Sequence, residues 1–332
     1  MTMSSTNRLP DTGSTAHRRW RDIALLAGLF GFVILGLAGL ALATGWEETI
    51  AQLSRLSFLQ FIVLLGLSLV NYVLRGSRWH VMARKIGLPT TLTQDLRHFI
   101  GGFAMSVTPG RVGELIRMRW IRRETGWAVE RTAPLVLMDR AGDLAAMAII
   151  LALGLSFGAG GIAFGLPVAI AALLVAFVAT RPRLLAGAAE FAYRLTGFFP
   201  RLMVRVRRAA GSLAAFSDPK TVIITLALGL TGWIAEGYAF HLLLLWMGAD
   251  IGFWMAATIF TFSTLAGGLT GAPGGVGGAE AAMVALLSMQ GVPLETSLPA
   301  TAIIRVTTLW FAIGLGLLVF PFAERHSLKQ AL

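Results

Sequence analysis

Apolar residues gather into long runs along this chain, separated by short arginine-bearing polar stretches. Runs of about 20 residues, the length of a membrane-spanning helix, fall at 23–44, 57–75, 133–153, 161–180, 221–246 and 299–321. Two further apolar stretches are broken in the middle, 95–122 around Pro109 and 252–290 around Pro273. Their arms of roughly 11–20 residues suit half-membrane helices that enter, turn and leave. Non-helical backbone at that depth is tolerated only where it is buried in protein or lines a wet cavity. The pattern predicts an all-α polytopic membrane protein with about six full spans plus two re-entrant hairpins.

The two broken stretches repeat each other. Within Pro109-Gly110-Arg111-Val112-Gly113-Glu114 and Pro273-Gly274-Gly275-Val276-Gly277-Gly278-Ala279-Glu280, a constant offset of 164 matches Pro109 to Pro273, Gly110 to Gly274, Val112 to Val276 and Gly113 to Gly277. With an offset of 165 the match continues from Gly126 to Gly291, Glu130 to Glu295, Pro134 to Pro299 and Arg140 to Arg305. Duplicated, Gly/Pro-interrupted hydrophobic segments are the strongest sequence pointer to the binding site of a secondary transporter.

Charge sets the orientation. Basic residues cluster before the first run (Arg18, Arg19, Arg21), after the second (Arg75, Arg78, Arg84, Lys85), at the end of the first hairpin (Arg117, Arg119, Arg122, Arg123), between Arg181 and Lys220, and at Arg325 and Lys329. Placing all of these in the cytoplasm leaves outside loops at 45–56, 154–160, 247–251 and 291–298 that carry only Arg55; this satisfies the positive-inside rule. Repeat 1 (about 57–153) and repeat 2 (about 221–321) then have inverted topology, and both termini, 1–22 and 323–332, face the cytoplasm. Ala41-Leu42-Ala43 mimics a signal cleavage site, but its apolar run exceeds an h-region of roughly 7–15 residues, so an uncleaved first helix is expected. Between the repeats, 183–215 mixes arginines with Leu, Phe, Tyr and Val and reads as an interfacial amphipathic segment.

Composition agrees and removes several classes of function. The chain is 56% hydrophobic and 14% charged, against about 25% charged in soluble domains. The net charge of +11 is explained by membrane orientation and anionic headgroups, without nucleic acid. With no cysteine, disulfides, thiolate metal sites and cysteine nucleophiles are excluded. Five scattered histidines give no metal-ligand spacing, and no G-x-x-x-x-G-K-[ST] phosphate loop is present. No cofactor, metal or catalytic nucleophile is expected, and the chain reads as a non-enzyme.

The chemistry that remains lies in tips and buried charges. Pro109, Gly110, Gly113, Pro273, Gly274, Gly275 and Gly277 remove side chains at the hairpin tips, and glycine permits positive φ. Freed amides at the start of each return helix could meet an anion such as a phosphate; tight helix packing by small residues is the plainer reading. Arg111, Glu114, Asp139, Arg140, Asp143, Glu236, Glu280 and Arg305 fall at membrane depth or at the tips. One such charge at a helix centre costs on the order of 2.5–3.5 kcal/mol, so pairing or a wet cavity is implied. Asp139 and Asp143 share a helix face one turn from the cytoplasmic end. Glu114 is expected to meet Arg140 and Glu280 to meet Arg305, or the pairs exchange across a pseudo-twofold axis. Arg75 and Arg78 with Trp79 end the second helix as an interfacial girdle or as a headgroup contact.

Taken in order, Arg75-x-x-Arg78-Trp79, Thr108-Pro-Gly-Arg-x-Gly-Glu114, Asp139-Arg140, Pro273-Gly-Gly-x-Gly and Glu280 carry a family likeness. The chain resembles the flippase-like membrane domain of the lysylphosphatidylglycerol synthase superfamily, and stand-alone relatives including those associated with hopanoid-producing bacteria. The likeness covers roughly 20–325, with the membrane domain at 23–322. It implies movement of an aminoacylated phospholipid, or another polar lipid, between leaflets of a bacterial cytoplasmic membrane. The chain stops ten residues after the membrane domain at 23–322, so the soluble aminoacyl-transfer domain of the superfamily is not expected. The resulting expectation is a lipid translocase acting on an anionic or aminoacylated phospholipid or a hopanoid-type lipid. The alternative is a non-catalytic membrane partner of a lipid-synthesising enzyme.

Overall fold

The computed structural model describes residues 56–106, 108, 115–158, 165–181 and 218–330, with single positions at 183, 184, 187, 190 and 216. The run at 23–44, the first tip from Pro109 to Glu114 and most of 183–215 lie outside the described residues. Every element described is helical: α1 (Phe58–Lys85), α2 (Leu92–Gly102), α3 (Ile116–Thr125), α4 (Val129–Phe157), α5 (Gly165–Thr180), α6 (Pro219–Trp246), α7 (Phe253–Leu269), α8 (Gly278–Met289), α9 (Leu294–Arg305) and α10 (Phe311–Gln330). A 3₁₀ turn at Phe103–Met105 follows α2, and a π-helical turn at Val306–Trp310 joins α9 to α10. Among the described residues, three helices are long and apolar enough to cross a membrane: Phe58–Lys85, Pro219–Trp246 and the continuous Leu294–Gln330. The protein is a multi-pass membrane protein.

Local sequence explains where these helices start and stop. Ser57 caps α1 by accepting from Gln60 N at 3.3 Å, while the Gln60 side chain accepts from Ser57 N at 2.8 Å. Thr91 and Gln94 form the same reciprocal box on α2. Asp218 caps α6 ahead of Pro219, whose missing N–H costs nothing at the first helical position. Helices α3 and α8 both end before a left-handed glycine, Gly126 at φ 74° and Gly291 at φ 81°, a conformation without Cβ penalty there.

The order of elements recurs in the two halves. A 28-residue helix (α1, α6) is followed by a shorter one (α2, α7) and then by a further short helix (α3, α8). A left-handed glycine then leads into a helix with glutamate in its first turn and proline inside, Glu130 and Pro134 on α4, Glu295 and Pro299 on α9. The long helices α1 and α6 pack along each other, with Gly232 of α6 against Asn71 of α1.

Three expected boundaries move. Helix α1 does not stop at Arg75; it continues to Lys85, because Arg75, Arg78 and Trp79 find partners inside the protein. Helix α4 begins at Val129, so Asp139 sits ten residues in, about 15 Å from the helix start, rather than one turn from the end. Helix α10 runs to Gln330 through the stretch expected as a tail, held by Glu324, which binds Arg119, Arg123 and Trp120 of α3.

Candidate functional site

The largest assembly of buried charge joins α1, α3, α4 and α6. Arg75 and Arg78 are one turn apart on α1, and Asp139 and Asp143 one turn apart on α4, so each pair presents a single face. Arg75 Nη2 donates to Asp143 Oδ2 at 2.5 Å, and Arg78 Nη2 to Asp139 Oδ1 at 2.5 Å and Asp143 Oδ1 at 2.7 Å. Trp233 Nε1 of α6 also donates to Asp143 Oδ1, at 3.2 Å. Its ring lies 5.0 Å from the Arg75 guanidinium. All five residues are buried.

Two more arginines border the aspartates. Arg117 of α3 has Nη1 at 3.8 Å from Asp139 Oδ2, and its guanidinium lies 4.3 Å from the Phe99 ring and 5.4 Å from Trp79. Gly102 makes room for it: a Cβ there would lie 2.4 Å from Arg117 Nε. Arg140 lies 3.8 Å from Asp143 and 4.0 Å from Asp139, with its side chain one-third exposed. Four guanidiniums therefore stand against two carboxylates among these residues. Glu236 is buried one turn beyond Trp233 on α6.

Arginine suits this position. Its delocalised, weakly hydrated guanidinium pairs with carboxylate or phosphate through two parallel donors and stacks on aromatic rings. Breaking such a pair at depth leaves an uncompensated charge, costing about 3–5 kcal/mol. The cluster therefore depends on both partners of each pair.

The second tip is built differently. The loop at Pro273–Gly275 carries Gly274 at φ 61° and Gly275 at φ 69°, with Gly277 at φ 86° beyond it. Backbone approach is close: a Cβ on Gly267 would lie 2.9 Å from the Gly275 carbonyl oxygen. Arg305 donates from Nε to Glu280 Oε1 at 2.5 Å and from Nη2 to the Gly274 carbonyl at 2.8 Å. The expected Glu280–Arg305 pair is present. The loop amides just before α8 are taken: Gly277 N donates to Glu280 Oε2 at 2.7 Å. Gly274 N donates to the Ser106 carbonyl at 3.2 Å, Gly275 N to Ala272 and Val276 N to Pro273. Glu280 supplies the anion at the α8 N-terminus, which favours negative charge by its dipole.

Of the expected site residues, Arg75, Arg78, Asp139, Arg140 and Asp143 come together. Glu280, Arg305, Pro273, Gly274, Gly275 and Gly277 form a separate latch. Pro109, Gly110, Arg111, Gly113 and Glu114, and with them the Glu114–Arg140 pair, lie outside the described residues. Arg117 and Trp233 were not among the expected site residues. Arg117 sits in an arginine-rich stretch that reads as cytoplasmic charge, and only the neighbouring Phe99 and Gly102 would have hinted at its burial.

A family model described as lysylphosphatidylglycerol synthase TM region matches residues 24–316. Two proteins of Methanothermobacter thermautotrophicus, each described as a UPF0104 membrane protein, are similar over shorter segments. One is 26% identical over 127 residues, covering 37% of this chain and 38% of the relative. The other is 25% identical over 122 residues, covering 37% of this chain and 36% of the relative. The matched segment thus spans little more than a third of the length of these curated relatives.

Proposed function

The chain belongs to the lysylphosphatidylglycerol synthase transmembrane-region family, and from that premise we propose that it is a lipid translocase, moving an anionic or aminoacylated phospholipid or a related polar lipid between leaflets. The observation that carries this reading is the buried Arg75–Arg78–Asp139–Asp143 cluster with Arg117 and Arg140 beside it. Ionisable groups within a membrane domain mark substrate paths, and guanidinium, with its parallel donors, is the side chain suited to a headgroup phosphate. The aspartates hold Arg75 and Arg78 when no lipid is bound, so the site exchanges carboxylate for phosphate contacts. The acyl chains stay in the bilayer. No covalent step is needed, and the protein acts as a carrier rather than an enzyme.

The two halves form inverted repeats, each with a re-entrant hairpin, and rock against each other around the cluster. The recurrence of helix lengths, left-handed glycines and first-turn glutamates supports this. The arginine distribution supports a cytoplasmic membrane location with both termini inside. Because the chain lacks cysteine, single cysteines at Thr125 and Gln290 can be labelled with an impermeant maleimide in intact cells and inverted vesicles. Thr125 is expected inside and Gln290 outside; labelling from the same side refutes the inversion. For the activity itself, proteoliposomes carrying a fluorescent phospholipid should lose transfer in the Arg75→Gln variant. Unchanged transfer in a folded variant refutes the site.

A further inference from the structure

A cavity of about 430 Å³ opens beside the cluster, enclosed by α1, α4, α5 and α6. Its volume falls within the range of about 300–1,000 Å³ typical of small-molecule sites. Among the described residues its walls are apolar, including Met138, Leu173, Phe177 and Leu226, and it carries two cations, Arg78 and Arg181. Arg78 is 1% exposed. Its Nη2 is committed to the aspartates, but Nε and Nη1 have no hydrogen-bond partner. Nη1 lies against Gly142 and Gly229, where added Cβ atoms would sit 3.1 Å and 2.6 Å away, and Gly142 also lines the cavity. Leaving donors of a buried charged group unpaired is costly; both are closed off from the cavity space as the guanidinium stands, and a small turn of it toward the cavity that Arg78 lines would bring them to an acceptor there.

We propose that this cavity is a phospholipid site, in which the phosphodiester accepts from Arg78 Nε and Nη1, Arg181 closes over the headgroup, and an acyl chain leaves along α5 and α6. This rests on the translocase reading and gives it a place where the lipid enters. Three observations favour a lipid over a soluble anion. The walls are apolar apart from the two arginines and Thr225, whose hydroxyl is taken by the Thr221 carbonyl. The rim continues into outward-facing surface, with Leu173, Phe177 and Val222 all exposed. Arg78 is seven residues from the end of α1, about 10 Å along the axis. For a helix of about 42 Å across a hydrocarbon core of about 30 Å, that places it a few ångströms below the headgroup boundary. Arg181, just past the end of α5, lies on the same arginine-rich side and stacks on Phe177 at 5.2 Å.

The test uses full-length protein in nanodiscs containing phosphatidylglycerol with a photoactivatable acyl chain, with crosslinks mapped by peptide mass spectrometry. Labels are expected on cavity residues such as Ala145 and Leu226. They should fall about tenfold in Arg181→Ala, the loss of one charge-assisted contact, and in Leu226→Trp, which fills the space. Even labelling of outward-facing Leu174 and Ile223, indifferent to both variants, overturns the site. Labelling should survive millimolar inorganic phosphate; displacement by phosphate alone would make this a soluble-anion site and overturn the lipid assignment. Transfer in proteoliposomes is scored separately. Transfer without cavity labelling removes the cavity and leaves the translocase, whereas cavity labelling without transfer keeps the cavity and removes the translocase.

Discussion

Removing the charge of Asp143 is the sharpest perturbation of the cluster. Its carboxylate accepts from Arg75, Arg78 and Trp233 at 2.5, 2.7 and 3.2 Å. In Asp143→Asn the side chain keeps its shape, but its amide turns donors toward a guanidinium and the negative charge is gone. Asp139 still serves Arg78; Arg75 loses the only carboxylate within bonding distance among the described residues. Breaking a buried pair from one side costs about 3–5 kcal/mol, which for a chain of this size lowers the apparent melting temperature on the order of 10 °C. The double variant Arg75→Met/Asp143→Leu removes both charges and replaces them with apolar volume. Such replacements are often neutral or stabilising, so most of the lost stability should return. Intrinsic tryptophan fluorescence in detergent reads the melting, and the same preparations go into the lipid-transfer assay. The double variant should melt near wild type and remain inactive. Single-variant losses that simply add, within about 0.5 kcal/mol, refute the coupling; transfer that returns with stability refutes the functional role and leaves a purely structural ion pair.

Other positions give independent checks. Gly316→Ala would place a Cβ 2.2 Å from Ala104 N and 2.8 Å from the Phe103 carbonyl carbon; neither backbone atom yields easily, so about 1–3 kcal/mol of overpacking should appear as a lower melting temperature. Gly274→Ala forces an alanine to φ 61° with Leu309 Cδ2 at 3.0 Å, costing about 1–2 kcal/mol and loosening the tip to proteolysis. Tyr72→Phe removes the donor to the Thr308 carbonyl at 2.5 Å and should cost about 1–3 kcal/mol for the unsatisfied carbonyl, measurable by the same melting. At the start of α6, Asp218 is held below its ordinary pKa by the Thr221 hydroxyl, Lys85 and the Thr221 amide. Its contribution is therefore present above about pH 4 and lost as pH falls through the depressed value; Asp218→Asn should flatten the acid limb of a stability–pH curve.

The helices were legible because membrane-length apolar runs and turn glycines leave few alternatives. The 28-residue α6 matches its run at 221–246 closely, and the left-handed Gly126 and Gly291 fall where the repeat places them. The errors share one cause. Hydropathy ends a helix where charge begins, so it places the end of α1 at Arg75 and gives no sign that Arg117 is buried. Both assignments assume that charge seeks water. Here Asp139 and Asp143 give the arginines of α1 a partner inside the protein, and Phe99 with Trp79 gives Arg117 an aromatic surface. A contact between helices α1 and α4 cannot be read from either helix alone. Nor does the sequence announce the π-turn at Val306–Trp310, whose Thr308 carbonyl is taken up by Tyr72 on another helix.

The duplicated arginines then argue for a division of labour between the halves. Arg140 and Arg305 occupy matching positions after matching prolines, yet their surroundings differ. Arg305 is 5% exposed and bonded to Glu280 and the Gly274 carbonyl, so its donors hold a loop whose amides are themselves taken. Arg140 is one-third exposed and flanks Asp143 and Asp139 at 3.8 and 4.0 Å, so solvent screens its ion pairs far more than those of Arg305. If both arginines served the substrate equally, Arg140→Gln and Arg305→Gln would lower transfer alike with little change in stability. The geometry instead expects Arg305→Gln to lower the melting temperature by the loss of a charged hydrogen bond, about 1.5–3 kcal/mol, and Arg140→Gln to leave melting near wild type while transfer falls. Equal melting losses in the two variants would refute the division and return the second tip to the binding site.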